Sequence, residues 1–207
     1  MEEFYTISNN SEAEIIEKKS KFIAHIFYVE SIEEAEKYLK ATRKKYHDAR
    51  HNCFAYAIET IDGGIAVKYN DDGEPAGTAG SPILKILLEK GITNVLVVVT
   101  RYFGGILLGT GGLVRAYTKA TLEALNKVEI IKKEKGCKIE LEIEYCDLES
   151  AKKYLYDIGV KSIKVEFLEK VKLNAEIPKN MLKYIETEDV KKNFKILKYN
   201  ILEEKII

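Results

Sequence analysis

Three groups of side chains in this sequence have the types and spacing to do chemistry. Arg101 and Arg115 bracket Y102-F103-G104-G105-I106-L107-L108-G109-T110-G111-G112-L113-V114, a stretch dense in glycine. Guanidinium groups fork onto carboxylate or phosphate oxygens, and free amides at a helix start add further anion donors. Asp71, Asp72 and Glu74 precede a second glycine-rich run, P75-A76-G77-T78-A79-G80. Carboxylates so close together offer oxygen ligands to a divalent cation, or counter-charges to the arginines. Finally, R50-H51-N52-C53 sets an imidazole two residues from a thiol, the pairing a thiolate nucleophile needs.

Each chemistry meets a test in the sequence. Gly104-x4-Gly109 has the first spacing of a phosphate-binding P-loop, but Thr110-Gly111 stands where Lys-Ser/Thr is required. Gly109-x-Gly111 runs on to Val114 instead of a third glycine, so the dinucleotide fingerprint fails too. Two readings of the loop remain. In one, the glycines let strand and helix pack closely. In the other, the loop binds an anion, with Arg101 leaving a strand and Arg115 entering a helix on one shared edge. The candidate anion or nucleic-acid set is Arg50, His51, Arg101, Tyr102, Gly104, Gly105, Gly109, Thr110, Gly111, Gly112, Arg115 and Lys119.

For Asp71, Asp72 and Glu74, a solvated acidic turn is preferred over a metal site, because the Gly, Pro and Ala that follow supply no more ligands. The alternative pairs them with Arg101 or Arg115. Cys53 reads by default as a buried small hydrophobe. Three cysteines without a C-x-x-C pair indicate neither a disulfide framework nor zinc, and no HExxH or GxSxG is present. No catalytic residue, metal or cofactor is therefore assigned.

The elements that must position these groups follow from periodicity. Strands are expected over Glu12–Lys18, Lys21–Tyr28, Cys53–Ile58 and Ile65–Tyr69. A helix capped by Ser31 with Glu34 in a capping box ends near Lys44. The run V95-L96-V97-V98-V99-T100 is apolar without alternation, so that strand is buried on both faces. Helices are expected over Ile83–Lys90, with Pro82 in the first turn, and from Gly112 or Leu113 to Asn126. Asp62-Gly63-Gly64 is turn chemistry.

Beyond the charged junction K132-K133-E134-K135-G136 the pattern changes. K138-I139-E140-L141-E142-I143 alternates, as do Ile163/Val165/Phe167 and Val171/Leu173/Ala175/Ile177. Asp147 opens a helix ended by Gly159, Pro178 opens another with Met181, Leu182 and Ile185, and a strand follows over about Phe194–Leu202. That order, β-α-β-β-α-β, is ferredoxin-like. The fold class is thus α+β in two domains, 1–131 and 136–207. The second domain's strand V171-K172-L173-N174-A175-E176-I177 lacks the base-stacking aromatics of an RNA-recognition module.

The chain has 207 residues, 46% hydrophobic and 32% charged, with 33 basic and 33 acidic side chains, so a polyanionic partner requires a local basic patch. No apolar run reaches the roughly 20 residues of a membrane span, and MEEFYTISNN lacks the regions of a signal peptide. No membrane partner and a cytoplasmic location are expected.

The stretches D71-D72-G73-E74-P75-A76-G77-T78-A79-G80 and R101-Y102-F103-G104-G105 through to Y117 closely resemble the YigZ branch of the IMPACT family. K19-S20-K21-F22-I23-A24 and H47-D48-A49-R50-H51-N52-C53 are similar to its N-terminal segments. The resemblance covers roughly residues 1–130. It implies an N-terminal domain of the ribosomal protein S5 domain 2-like type and a C-terminal domain like the last domain of elongation factor G. Eukaryotic relatives regulate translation by competing for an activator of an initiation-factor kinase, and carry an additional N-terminal RWD domain. The function implied is a non-enzymatic regulator binding RNA, the ribosome or a translation factor. The alternatives are an enzyme or sensor for a small phosphorylated ligand at the same loop, and a protein-interaction adaptor.

Overall fold

In the computed structural model, residues 3–60, 63–160, 162–185, 190 and 193–207 are described. They form two compact units, 3–132 and 133–207.

In the first unit, β1 (Glu3–Ile7) is followed by β2 (Ser11–Glu17), β3 (Ser20–Tyr28), α1 (Ile32–Lys45), β4 (His51–Glu59) and β5 (Ile65–Asn70). Next come α2 (Gly80–Glu89), β6 (Val95–Tyr102) and α3 (Gly109–Leu125). Five strands make a sheet in the order β2-β3-β6-β4-β5, with every neighbouring pair antiparallel. The unbroken apolar run of β6 is explained by its central place. Val95, Val97 and Val99 join the core under α2 and α3, while Leu96 and Val98 join a second core with Ala35 and Leu39 of α1. Each such side chain contributes roughly 1.5–3 kcal/mol when fully buried.

Local signals set the boundaries. Ser31 Oγ accepts from the Glu34 N–H at 3.1 Å, while the Glu34 carboxylate accepts from the Glu30 N–H, one residue outside the expected box. The helix expected from Gly112 or Leu113 starts at Gly109, so Gly109–Gly112 are its first turn and not loop. Strand β1 was not expected. It is held by a parallel bridge between Tyr5 and Ile92 and by Thr93 N–H donating to the Tyr5 carbonyl, contacts with residues far along the chain.

In the second unit, β7 (Ile130–Ile143) enters from the first, followed by α4 (Leu148–Asp157), β8 (Ser162–Phe167), β9 (Val171–Pro178) and β10 (Ile196–Ile206). The antiparallel order β10-β7-β9-β8 is the ferredoxin-like arrangement. Ile139, Leu141 and Ile143 pack with Leu173, Ala175 and Ile177 against Ala151 and Leu155, as the alternation requires. The charged junction 132–136 is interior to β7. Two details differ from expectation. Asp147 makes no side-chain cap; its carboxylate accepts from the Lys195 N–H. After Pro178 the chain forms a 3₁₀ segment, Lys179–Tyr184, and part of the expected helix lies outside the described residues. The same holds for Asp62 of the Asp62-Gly63-Gly64 turn.

Candidate functional site

Strand alternation decides where the charged groups go. Arg101 lies two residues beyond Val99, and His51 two residues before Cys53, so both continue the face of the sheet that packs on α2 and α3. Arg101 is the register partner of His51 on β4 and of Phe22 on β3. Its guanidinium is therefore carried into the core and not out to solvent, with its side chain 7% exposed. There Nη1 donates to Glu74 Oε1 at 2.7 Å, and the Tyr117 hydroxyl of α3 donates to the same oxygen at 2.8 Å. Phe22 and Phe103 lie beneath the guanidinium at 5.4 and 5.6 Å. A buried carboxylate stays charged only when paired this way.

The acidic loop is thus not a solvated turn, and the pairing alternative holds for Glu74 with Arg101. Asp71 accepts from the N–H groups of Gly77, Ala79 and Gly80 at 2.9, 3.0 and 2.8 Å, capping α2, which has no cap of its own. Asp72 accepts from the Asn52 N–H at 2.7 Å and pairs with Arg43. Each of the three carboxylates is engaged by different partners, and the described residues contain no group of side chains able to hold a metal.

His51 and Cys53 do not form a nucleophile–base pair. Nδ1 of His51 lies 2.7 Å from the Asp72 carbonyl, which can only accept, so Nδ1 carries the proton. Nε2 is then turned to Glu74, 3.9 Å from Oε1. The Cys53 thiol donates to the Asp71 carbonyl and lies 3.3 Å from the Tyr117 hydroxyl. Burial pushes it up to about 12, and the nearby Glu74, Asp72 and Asp71 charges add to this, so a thiolate is disfavoured. Burial likewise raises Tyr117 far above its ordinary value, leaving its hydroxyl a donor.

Of the remaining predicted residues, Tyr102, Gly104, Gly105 and Gly111 line neither of two clefts, between which the others divide. Arg50, His51, Glu74, Arg101, Gly109 and Thr110 line a cavity of 440 Å³ closed by Pro75, Phe103, Leu107, Leu108 and Leu113. Arg115, Lys119 and Gly112 line another of 200 Å³, together with Glu17, Lys18 and Ala116. Arg101 and Arg115 therefore do not share one anion site. Leu108 lines both clefts. Tyr102 points to the other face of β6 and donates to Asp48 at 2.7 Å, which raises it to about 12.

Gly104 is there for close packing. A Cβ at this position would lie 2.0 Å from the Lys19 carbonyl carbon, and its N–H donates to Ser20 Oγ. Gly105 takes a positive φ of 85° to turn the chain away.

The site reading missed Lys18 and Lys19. They form the two-residue turn between β2 and β3, with φ of 45° and 65°, where Asn-Gly is the unstrained choice. The expected strand Glu12–Lys18 runs one residue too far, which hides Lys18 as a turn residue; β2 ends at Glu17. Both are exposed, as are Arg115 and Lys119, and none of the four has an ion-pair partner among the described residues.

Comparison with known proteins finds the Impact N-terminal domain over residues 18–125. The chain is 43% identical over 130 residues to the IMPACT family member YvyE of Bacillus subtilis (strain 168), a match spanning 63% of this chain and 59% of YvyE. It is 37% identical over 161 residues to YigZ of Escherichia coli (strain K12), spanning 78% of this chain and 79% of YigZ. A crystal structure described as that of a hypothetical protein superposes with a TM-score of 0.66 at 30% identity. That match covers 99% of this chain and 100% of the other. The Arg-Tyr-Phe-Gly-Gly signature, the buried cluster it builds and these matches agree: the chain belongs to the IMPACT family.

Proposed function

We propose that the chain is a non-enzymatic, translation-associated regulator that binds RNA, free or ribosomal, through the basic face where the β2–β3 turn meets α3. The observation that carries this reading is the gathering of Lys18, Arg115 and Lys119 around the cleft at Gly112, with Lys19 next to Lys18 in the turn, all four exposed and without carboxylate partners among the described residues. In a chain of zero net charge, such a cluster is a local phosphate-binding surface. Glu17 is the one acid in the lining. Lys18 and Lys19 hold left-handed backbone at a cost of about 1–2 kcal/mol each, as expected where side chains are kept for binding. Membership of the IMPACT family, with the role in translation implied for its eukaryotic relatives, supports translation as the process.

Arg101 has no part in this surface, because its guanidinium is already neutralised by Glu74. A thiol-based hydrolase reading has no support in the cluster, since the only cysteine near it is held protonated. The test is filter binding of single-stranded RNA across salt concentrations, with Arg115→Ala/Lys119→Ala. Both residues are exposed, so the melting temperature should be unchanged while binding weakens. The salt slope should become shallower by roughly 0.7 per lost phosphate contact on single strands. Unchanged affinity and slope would remove the basis for this reading.

A further inference from the structure

The 440 Å³ cavity has a floor that the basic face does not use. Glu74 Oε1 is occupied by Arg101 and Tyr117, but its Oε2 accepts no hydrogen bond among the described residues. Beside it, His51 turns Nδ1 to the Asp72 carbonyl, so Nε2 is the ring nitrogen that faces Glu74, and an acceptor whenever the ring is neutral. The floor thus presents the Glu74 carboxylate with His51 Nε2 3.9 Å from its Oε1, both residues held by the buried network. The walls are Pro75, Leu108 and Leu113, and Phe103 stands at 40% exposure with Arg50 stacked on its ring at 5.8 Å. A cavity of this size, apolar with a few convergent polar groups and an aromatic wall, suits a flat ligand with hydrogen-bonding edges.

Resting on the RNA-binding reading above, we propose that this cavity takes one unstacked guanine base. Guanine alone among the common bases carries two adjacent donors on its Watson–Crick edge, N1–H and the exocyclic amine, which match Glu74 Oε2 and His51 Nε2. Adenine and cytosine each set one donor beside an acceptor, and uracil sets its single donor between two acceptors, so each brings an acceptor against an acceptor floor. Phe103 and Arg50 supply the stacking platform that single-stranded bases use. Leu108 lines both the cavity and the basic cleft, so the base site adjoins the surface proposed to hold phosphates. The same chemistry is offered by a free guanine nucleotide, and the experiment separates the two sources.

The probes are an all-uridine nonamer, the same nonamer with one central guanosine, and free 5′-GMP beside AMP, CMP and UMP. For the intact protein the guanosine nonamer should bind at least about ten-fold tighter than the all-uridine one. Phe103→Ala, at a half-open position, should reduce that preference about five-fold or more while leaving all-uridine binding and its salt slope unchanged. Glu74→Gln keeps the carbonyl for Arg101 but can turn a donor toward the base, and should abolish the preference. Its melting curve shows whether it is folded, and Phe103→Ala decides the matter if it is not. Equal binding of the two nonamers, or a guanosine preference that survives Phe103→Ala, overturns the proposal. If neither nonamer binds but GMP alone raises the melting temperature, the cavity stands as a free-nucleotide site and the RNA reading falls. If no ligand binds, both fall.

Discussion

Glu74→Leu tests the buried ion pair most directly. The Glu74 and Arg101 side chains are 3% and 7% exposed, with Nη1 and Oε1 2.7 Å apart. Removing the carboxylate leaves a guanidinium with no counter-charge in the core and strips the Tyr117 hydroxyl of its acceptor. Breaking a buried pair from one side costs about 3–5 kcal/mol, whereas replacing both partners by apolar residues of similar volume is often neutral. We therefore expect Glu74→Leu and Arg101→Met each to destabilise the N-terminal unit by about 3–5 kcal/mol. The double variant should lose about 1–2 kcal/mol, a coupling of several kcal/mol. At roughly 2–6 °C per kcal/mol, each single variant should lower that unit's transition by about 10–20 °C in calorimetry, which can resolve the two units. If the double variant's loss equals the sum of the two single losses, Glu74 and Arg101 are not energetically paired. This expectation also changes what alanine at Arg101 means. The variant would report on folding before it reported on RNA, so tests of binding belong at Arg115 and Lys119.

Asp71→Ala should cost about 1–2 kcal/mol in urea unfolding, since it removes the acceptor for three N–H groups at the start of α2; no change would refute the cap. Gly104→Ala should destabilise strongly or fail to fold, because the added carbon meets Lys19 backbone. Gly77→Ala, with φ of 76° but open space, should cost only about 1 kcal/mol by the same assay. A thiol reagent at pH 8 should label Cys146 quickly and leave Cys53 and Cys137 until the protein unfolds; a second fast equivalent would contradict the burial of those two. Burial lowers the His25 imidazole below its ordinary 6.5, only partly offset by Glu12. The unfolded chain therefore takes up the proton first as pH falls. The His25 contribution is complete above about pH 6.5 and declines below it, so His25→Gln should flatten the loss of stability between pH 7 and 5.

The sequence alone determined most of the elements and the class of fold, β1 and the 3₁₀ segment after Pro178 excepted. Alternation in 138–143, 163–167 and 171–177 is a local property, because one wet face and one dry face impose period two whatever the partner strand is. The unalternating run of β6 announced burial on both sides, and the Arg-Tyr-Phe-Gly-Gly signature announced the family. The destination of each charge was another matter. Continuing the Val95-Val97-Val99 alternation one more step puts Arg101 in the core, but only the approach of Glu74, 27 positions before it, and of Tyr117 from α3 makes that placement tolerable. Two residues 14 apart, Arg101 and Arg115, share a glycine-rich segment in the sequence yet line different clefts. Gly109–Gly112 winds into helix, and the rotation of α3 turns Arg115 toward the β2–β3 hairpin. Lys18 joins the basic face because α3 packs on β2 and β3, which sets their turn beside Arg115 from nearly a hundred residues away. Periodicity reports how a residue sits on its own element. Which charges meet is decided by packing between elements, where the cost of an unpaired buried ion selects one arrangement.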